Sequence, residues 1–345
     1  VLAFIAGLIA KIPQFFSLRE DFFYQRNIGF IVFPMLMVYF SWKKNIDFKK
    51  LLFPIITVIA LSFFINFLPN IDNSDSIILA CFHLPIFLWA IVGYTYIGGD
   101  LNNVENKITY LRYNGDFVVM TAVIALAGIL FTAITFNLFQ LIGINIETLY
   151  KHYIAIWGAA AIPMLSTYLV QNNPQLVNKI SPTIAKIFTP IVFVTLFIFL
   201  SALLFTGKNI ATDRNFLLIL NALLIGVMAI ILFSVSEATK NSNSKINLFI
   251  LFGLSILTII TNGMALMAII SRLAEFGVSP NRLAVLGANL LIFTNLILVA
   301  SKLYLFVKGK TDAQEIEKVI ATFIPIYGIW AVLVTLLFPL LFHFK

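Results

Sequence analysis

The chain has 345 residues, of which 61% are hydrophobic and only 11% are charged. Because soluble domains carry about 25% charged residues, this composition excludes an ordinary soluble fold and predicts that lipid surrounds most of the chain. A net charge of +8 would suggest nucleic-acid binding in a soluble protein, but here it predicts lysines at a membrane surface and no nucleic-acid partner.

Apolar runs follow one another along the whole chain, and a transmembrane helix needs about 20 mostly apolar residues. Their length and the missing period-2 alternation favour helices over barrel strands. The sequence therefore predicts an all-α, polytopic transmembrane helix bundle of about ten to eleven spans. We expect one helical domain over 1–345 and no soluble domain. The runs lie at 1–10 (a fragment), 28–42, 51–68, 77–97, 116–142, 153–170, 184–206, 215–236, 247–271, 283–307 and 318–342.

The first polar break, 11–27, reads "KIPQFFSLREDFFYQRN" and mixes five aromatic residues with Lys11, Arg19 and Arg26. This pattern predicts an interfacial amphipathic segment. An aromatic-belt segment that joins two spans is favoured over a gate or a lipid-sensing helix.

The short breaks between runs predict antiparallel neighbours, so alternate breaks share a side of the membrane. One side carries 14 Lys and Arg residues, 13 of them Lys, and the other carries 9, five of them Arg. The positive-inside rule predicts that the lysine-rich loops are cytoplasmic.

The spans hold few groups suited to catalysis, metal binding or ion coupling. None of the fifteen acidic residues lies in mid-span, whereas proton- or cation-coupled carriers usually need an ionisable group there. Cys81 is the single cysteine, and His83, His152 and His343 lie far apart. We therefore expect no catalytic residue, no cofactor and no metal site. His83 stands two residues before Pro85, which favours a packed histidine beside a proline kink over a metal ligand.

Asparagine is the recurrent polar residue of the spans. Amides hydrogen-bond across helix bundles for about 1 kcal/mol or less, so helix–helix contacts are the favoured interpretation, and a polar path for a substrate is the alternative. The five residues are Asn137, Asn221, Asn262, Asn289 and Asn295.

A late span begins with an arginine, in "EFGVSPNRLAVLGANLLIF" at 275–293. Ser279 suits the N-cap and Pro280 suits the first helical position. The positive end of the helix dipole then lies beside Arg282, where a cation is unfavourable unless an anion is also present.

The span that begins near "ATDRNFLLILNALLI" repeats this arrangement, with Thr212 at a cap position and Arg214 in the first turn. Asn221 follows Arg214 by seven residues, and Asn289 follows Arg282 by seven. Seven residues make nearly two turns, so each arginine shares a helix face with an amide about 10.5 Å away. The sequence thus predicts an anion or head-group site formed by Arg214, Arg282, Asn221 and Asn289.

Interface anchoring is the competing and favoured interpretation of these arginines. Arg214 would pair with Asp213, and Arg282 with Glu275, or both would contact lipid phosphates. The register match between the two spans is then a coincidence.

The segments "FTGKNIATDRNFLLILNALLIG" and "FGVSPNRLAVLGANLLIFTNLILVASKLYLF" resemble a Bacteroidetes-like, multi-pass inner-membrane domain family of unknown function. The shared pattern is the span entry formed by Gly277, Val278, Ser279, Pro280, Asn281 and Arg282. The resemblance implies a polytopic protein of the bacterial inner membrane and includes Arg282 in the family pattern. It implies no reaction and no functional residue.

Three functions remain open, and a non-enzymatic one is favoured. The leading hypothesis is transport or translocation of an amphiphilic or anionic small molecule or lipid, suggested by the Arg/Asn pairs and by spans interrupted by proline. The prolines are Pro34, Pro85, Pro163 and Pro325.

The second hypothesis is a non-catalytic membrane subunit that docks partner proteins through 11–27 and the polar loop 100–114. The third is a membrane-embedded transferase for lipid-linked substrates, which requires a carboxylate or histidine at a cavity mouth. Asp213, Glu275 and His152 are its candidates. The expected partners are membrane lipids, an anionic or amphiphilic small molecule, and other membrane proteins.

Overall fold

The computed structural model of the chain describes residues 1–71, 73–141, 145–173, 189–201, 214–240 and 245–345. Within these ranges every regular element is helical and no strand occurs. The all-α prediction is therefore confirmed for the described part of the chain.

The helices follow one another through short connections. A π-helical turn, Tyr150–Ala155, joins α7 to α8. The helices are α1 (Leu2–Ala10), α2 (Ile12–Phe15), α3 (Glu20–Lys43), α4 (Phe48–Phe67), α5 (Asp75–Tyr96), α6 (Val104–Leu141), α7 (Glu147–Leu149), α8 (Ile156–Asn172), α9 (Thr189–Ser201), α10 (Arg214–Lys240), α11 (Lys245–Phe276), α12 (Pro280–Val307) and α13 (Ala313–Leu341).

Seven helices of the described residues are long and apolar enough to cross a membrane, and each coincides with a predicted run. Two further apolar helical stretches, Thr189–Ser201 and Leu220–Leu232, are shorter. The structure thus supports a membrane-embedded protein and does not confirm the count of ten to eleven spans. The seven spans are Phe48–Phe67, Asp75–Tyr96, Val104–Ala133, His152–Asn172, Leu248–Phe276, Pro280–Val307 and Gln314–Leu341.

Prolines lie inside several of these helices without ending them. Pro34, Pro85, Pro163 and Pro325 each fall within a continuous helix, so the expectation of interrupted spans is wrong. A membrane helix tolerates proline when neighbouring groups satisfy the freed carbonyl.

Large apolar side chains cover the outward surfaces of the spans. Phe67 is 81% exposed, and Phe63, Leu126, Ile129 and Phe131 are also mostly exposed. Contiguous apolar surface of this kind is unfavourable in water. Lipid around the helices removes that cost, which agrees with the composition.

The described residues form two compact units. Unit 1 comprises Val1–Pro69, Leu84–Asn102 and Tyr113–Ile180, and unit 2 comprises Asn70–His83, Asn103–Arg112 and Ser181–Lys345. The single helical domain expected over 1–345 stays a prediction.

Aromatic rings and a buried arginine hold unit 1 together. Phe40, Tyr96 and Tyr113 pack with ring centroids 4.9 to 5.2 Å apart. Arg26, only 4% exposed, donates to the carbonyls of Ile65, Leu68 and Pro69 at 2.6 to 3.0 Å. The last carbonyls of a helix have no intrahelical partner, so Arg26 satisfies the end of α4.

The segment 11–27, predicted as one interfacial stretch, has three parts. Residues Ile12–Phe15 form the short α2, and Ser17 turns the chain with φ 50°. From Glu20 onward the segment belongs to α3. Whether it lies at a membrane interface stays a prediction.

Unit 2 is built on an apolar core between α10, α11, α12 and α13. Its fully buried members include Ile231, Leu254, Leu296 and Ile316. Gly287 allows close packing between α12 and Trp330 of α13, because a Cβ there would lie 2.1 Å from the ring of Trp330. This core positions the ends of α10, α11 and α12 around a cavity of unit 2.

Candidate functional site: an arginine-lined cavity in unit 2

A cavity of about 390 Å³ lies among the ends of α5, α10, α11 and α12. It is within the size range of small-molecule sites in proteins. Its lining combines charged, polar and apolar groups: Asp75, Leu217, Asn221, Ala265, Ile269, Arg272, Ser279, Asn281, Arg282 and Val285.

Helix α12 begins as the sequence predicts. The hydroxyl of Ser279 accepts a hydrogen bond from the backbone N–H of Arg282 at 3.4 Å, and Pro280 occupies the first helical position. Gly277, with φ +73°, makes the turn out of α11, a left-handed conformation that favours glycine. This tight connection brings Arg282 back to the end of the preceding helix.

The guanidinium of Arg282 satisfies the C-terminal end of α11. Its Nη1 donates to the carbonyls of Phe276 at 2.9 Å and Gly277 at 2.7 Å, and the group also lies over the Phe276 ring. A cation at a helix C-terminus is favourable, which explains why a charge at the start of α12 is tolerated. Among the described residues, its Nε and Nη2 have no hydrogen-bond partner.

Arg272 is the second guanidinium of the cavity, and sequence reasoning missed it as a site residue. It lies in the last part of α11, near the Phe276 ring at 5.9 Å, and lines the same cavity as Arg282. The break "RLAEFGVSPNR" begins and ends with arginine. Because this connection is short, an arginine at each of its ends is a sequence signal that Arg272 and Arg282 lie near each other.

The two predicted amides meet directly. Asn289, 3% exposed, donates from Nδ2 to Oδ1 of Asn221 at 2.8 Å. Asn262 in turn donates to the backbone carbonyl of Asn289 at 3.2 Å. These bonds link α10, α11 and α12, as the helix-contact interpretation predicts, while Asn221 also lines the cavity.

Asn262 and Asn295 retain unsatisfied acceptors. Their Oδ1 atoms are buried and have no hydrogen-bond partner among the described residues, although Asn295 donates to the Tyr327 hydroxyl at 2.9 Å. Buried polar atoms of this kind usually bind ordered water.

Asp75 adds a carboxylate that the sequence did not associate with this site. It lies in the first turn of α5 and lines the cavity. Two guanidinium groups and one carboxylate thus share the lining, which leaves a net positive charge. The apolar part of the lining consists of Leu217, Ala265, Ile269 and Val285.

Arg214 is the first residue of α10, while Thr212 and Asp213 lie outside the described residues. Leu217 and Asn221 of α10 line the cavity together with Arg282. The N-terminal parts of α10 and α12 are therefore neighbours. Whether Arg214 takes part in an anion site stays a prediction.

The remaining candidate residues lie elsewhere. Glu275 is exposed near the end of α11 and does not line this cavity. His83 donates from Nδ1 to the carbonyl of Leu79 at 2.9 Å, which agrees with a hydrogen-bonded histidine. Across the described ranges, no three His, Cys, Asp or Glu side chains lie close enough to hold a metal ion.

This combination suits an amphiphile that carries an anionic group. Guanidinium groups bind phosphate and carboxylate oxygens by charge-assisted hydrogen bonds, while the apolar wall suits a hydrocarbon part. No protein-family model matches the chain, and neither the curated proteins nor the solved structures contain a significant match to it. The functional interpretation therefore rests on the geometry of the site.

Proposed function

We propose that the protein binds an anionic amphiphile, such as a lipid or lipid-like small molecule, in the cavity of unit 2 and moves it within the membrane. The single observation that carries this proposal is the presence of Arg272 and Arg282 on one apolar-walled cavity. A transported amphiphile needs both an anchor for its charge and an apolar surface for its chain.

The proposal includes the number of spans and the side of the membrane on which the loops lie. In this proposal the chain crosses a bacterial inner membrane ten to eleven times, its lysine-rich loops are cytoplasmic, and its arginine-rich ends lie on the opposite side. The cavity would then receive its ligand from the non-cytoplasmic leaflet.

A ligand-dependent thermal shift tests the binding step. We expect dodecyl phosphate to raise the melting temperature of the wild-type protein, because a ligand that binds only the folded state stabilises it. Uncharged dodecanol has the same hydrocarbon chain, so its thermal shift measures the contribution of that chain without the phosphate. The Arg272→Gln/Arg282→Gln variant should lose the difference between the two compounds, and Arg214→Gln tests the other arginine that the sequence predicts.

Arg19→Gln is the matched control, since Arg19 is exposed and lies in unit 1. Circular dichroism establishes that each variant keeps its helices. If the Arg272→Gln/Arg282→Gln protein is folded and retains the full dodecyl phosphate shift, the anion site is wrong.

Two alternatives remain from the sequence. A docking subunit would copurify with a partner protein and show no selective binding of dodecyl phosphate. A transferase needs an acid or base beside its substrate. Of its candidates, Asp213 lies outside the described residues and Glu275 does not line the cavity of unit 2, whereas His152 lines a separate cavity in unit 1.

A further inference from the structure

A second cavity, about 550 Å³ in volume, lies within unit 1. It is formed by α1, α2, α3, the π-helical turn and α8. Its polar groups are Gln14, Glu20, Tyr24 and His152, and the rest of its lining is apolar: Ala10, Ile28, Ile31, Val32, Ile156, Ala159 and Ala160.

The side-chain amide of Gln14 has a fixed orientation at this cavity. The ammonium of Lys11 can only donate, and it donates to Oε1 of Gln14. Nε2 of Gln14 is therefore the atom that lies 3.0 Å from Nδ1 of His152 and 3.5 Å from Oε1 of Glu20. The amide donates to both groups and holds them near each other.

The same bonds define the tautomer of His152. Because Nδ1 accepts from Gln14, a neutral imidazole carries its proton on Nε2. His152 belongs to the π-helical turn Tyr150–Ala155. Such turns are rare in proteins, and those that occur are often found at functional sites. Lys11 also donates to the backbone carbonyl of His152 and lies over the Tyr153 ring.

Tyr24 completes the polar part of the cavity. Its hydroxyl donates to the carbonyl of Ala10 at 2.9 Å, so it can still accept one hydrogen bond from a ligand. Burial, and then the nearby Glu20 carboxylate, raises the pKa of the Tyr24 phenol. The phenol therefore stays neutral, and Glu20 supplies the one formal charge of the lining.

We infer that this cavity binds a second class of amphiphile, one that carries a primary ammonium group on an apolar chain. The ammonium would donate to the Glu20 carboxylate and the Tyr24 hydroxyl, and the chain would lie against Ile28, Ile31 and Ala159. Charge-assisted hydrogen bonds to a carboxylate are the strong ones. Lys11 does not line the cavity. Its ammonium is already engaged in hydrogen bonds to Gln14 and His152.

Photolabelling of the full chain in phosphatidylcholine nanodiscs tests this site. The probe is a dodecylamine with a diazirine in its chain, and the comparison probe is the matching dodecanoic acid. We expect the amine to label peptides from α3 and α8 in the wild-type protein, and the acid to label them at least about fivefold less. A phosphatidylethanolamine with a diazirine chain tells whether the ammonium comes from a lipid or from a free amine.

The decisive variant is Glu20→Gln, which keeps the shape of the side chain and removes its charge. Asp21→Asn is the matched control, since Asp21 is the next exposed carboxylate in the same helix turn and does not line the cavity. Labelling by the amine should fall in Glu20→Gln and persist in Asp21→Asn. Ala159→Phe, which fills the apolar part, should lower labelling by every probe.

Equal labelling of folded Glu20→Gln and wild-type protein by the amine would overturn the inference, as would equal labelling by amine and acid. Arg282→Gln serves as a second reference, because it belongs to the cavity of unit 2 and should leave this labelling unchanged. The proposals for the two cavities can thus be tested independently.

Discussion

Asn289 donates a 2.8 Å hydrogen bond to Asn221, although 68 positions separate the two residues in the chain. The bond joins α10 to α12 beside the arginine-lined cavity. It places together the two amides that the sequence pairs with Arg214 and Arg282. The contact holds the helices in the register that brings Arg282 and Leu217 to one cavity.

A double-mutant cycle measures this contact. We expect Asn221→Ala and Asn289→Ala each to lower the thermal stability of the protein in detergent or nanodiscs. Their coupling free energy should be about 0.5 to 1.5 kcal/mol, the range found for interhelical amide bonds in membranes. Strictly additive effects would show that the two amides do not interact. Thr294→Ala is the control, because among the described residues the Thr294 hydroxyl bonds only the Leu290 carbonyl of its own helix.

Arg26 and Arg282 each donate to carbonyls at the end of another helix, and Arg26 is the more deeply buried. We expect Arg26→Met to destabilise unit 1 by about 3 kcal/mol or more, because it leaves three carbonyls of the α4 end without their charged donor. The change should appear as a large drop in melting temperature. Arg19→Met, at an exposed position, should have little effect. Similar melting temperatures for the two variants would contradict the structural role of Arg26.

Gly287 provides a test of the packing between α12 and α13. Alanine there would place Cβ 2.1 Å from Trp330, so we expect Gly287→Ala to lower stability despite the better helix propensity of alanine. At Gly263 the nearest atom would be 3.9 Å away, an ordinary contact. Gly263→Ala should leave stability unchanged or raise it by up to about 1 kcal/mol. Thermal unfolding of both variants makes the comparison, and equal effects would contradict the predicted close approach.

Asp75 should weaken the binding of an anion to the cavity of unit 2. Its removal in Asp75→Asn is expected to tighten the binding of dodecyl phosphate roughly two- to tenfold at low salt, with a smaller gain at high salt. Glu105→Gln, an exposed carboxylate outside the cavity, should change the affinity little. Titration calorimetry in nanodiscs gives both values. Weaker binding to Asp75→Asn would contradict this electrostatic effect and would show that Asp75 helps to hold the guanidinium groups in position.

Much of the fold follows from the sequence, because a helix that crosses the hydrocarbon core of a bilayer must be long and apolar. Each of the seven membrane-length helices coincides with an apolar run. The start of α12 also follows from local chemistry, since Ser279, Pro280 and Gly277 fix that turn. The proline residues are different, because their effect depends on what packs around each freed carbonyl.

The lining of the cavities depends on contacts between distant residues. Asp75 lines the same cavity as residues of α11 only in the folded chain, and nothing in the local sequence near Asp75 signals it. The bonds of Arg26 reach 39 to 43 positions along the chain. Gln14 and His152 likewise meet across 138 positions. Such pairings follow from the helix arrangement and leave no periodic signal in the sequence.

The proposed function requires that an anionic amphiphile occupies the cavity of unit 2. An electron cryomicroscopy map of the protein in nanodiscs that contain dodecyl phosphate would show this ligand in place. We predict elongated density in this cavity, with its head against the guanidinium groups of Arg272 and Arg282 and its chain along Ile269 and Val285. A well-resolved cavity that contains only water-sized density, or is filled by protein side chains, would show that the cavity of unit 2 is not an amphiphile site.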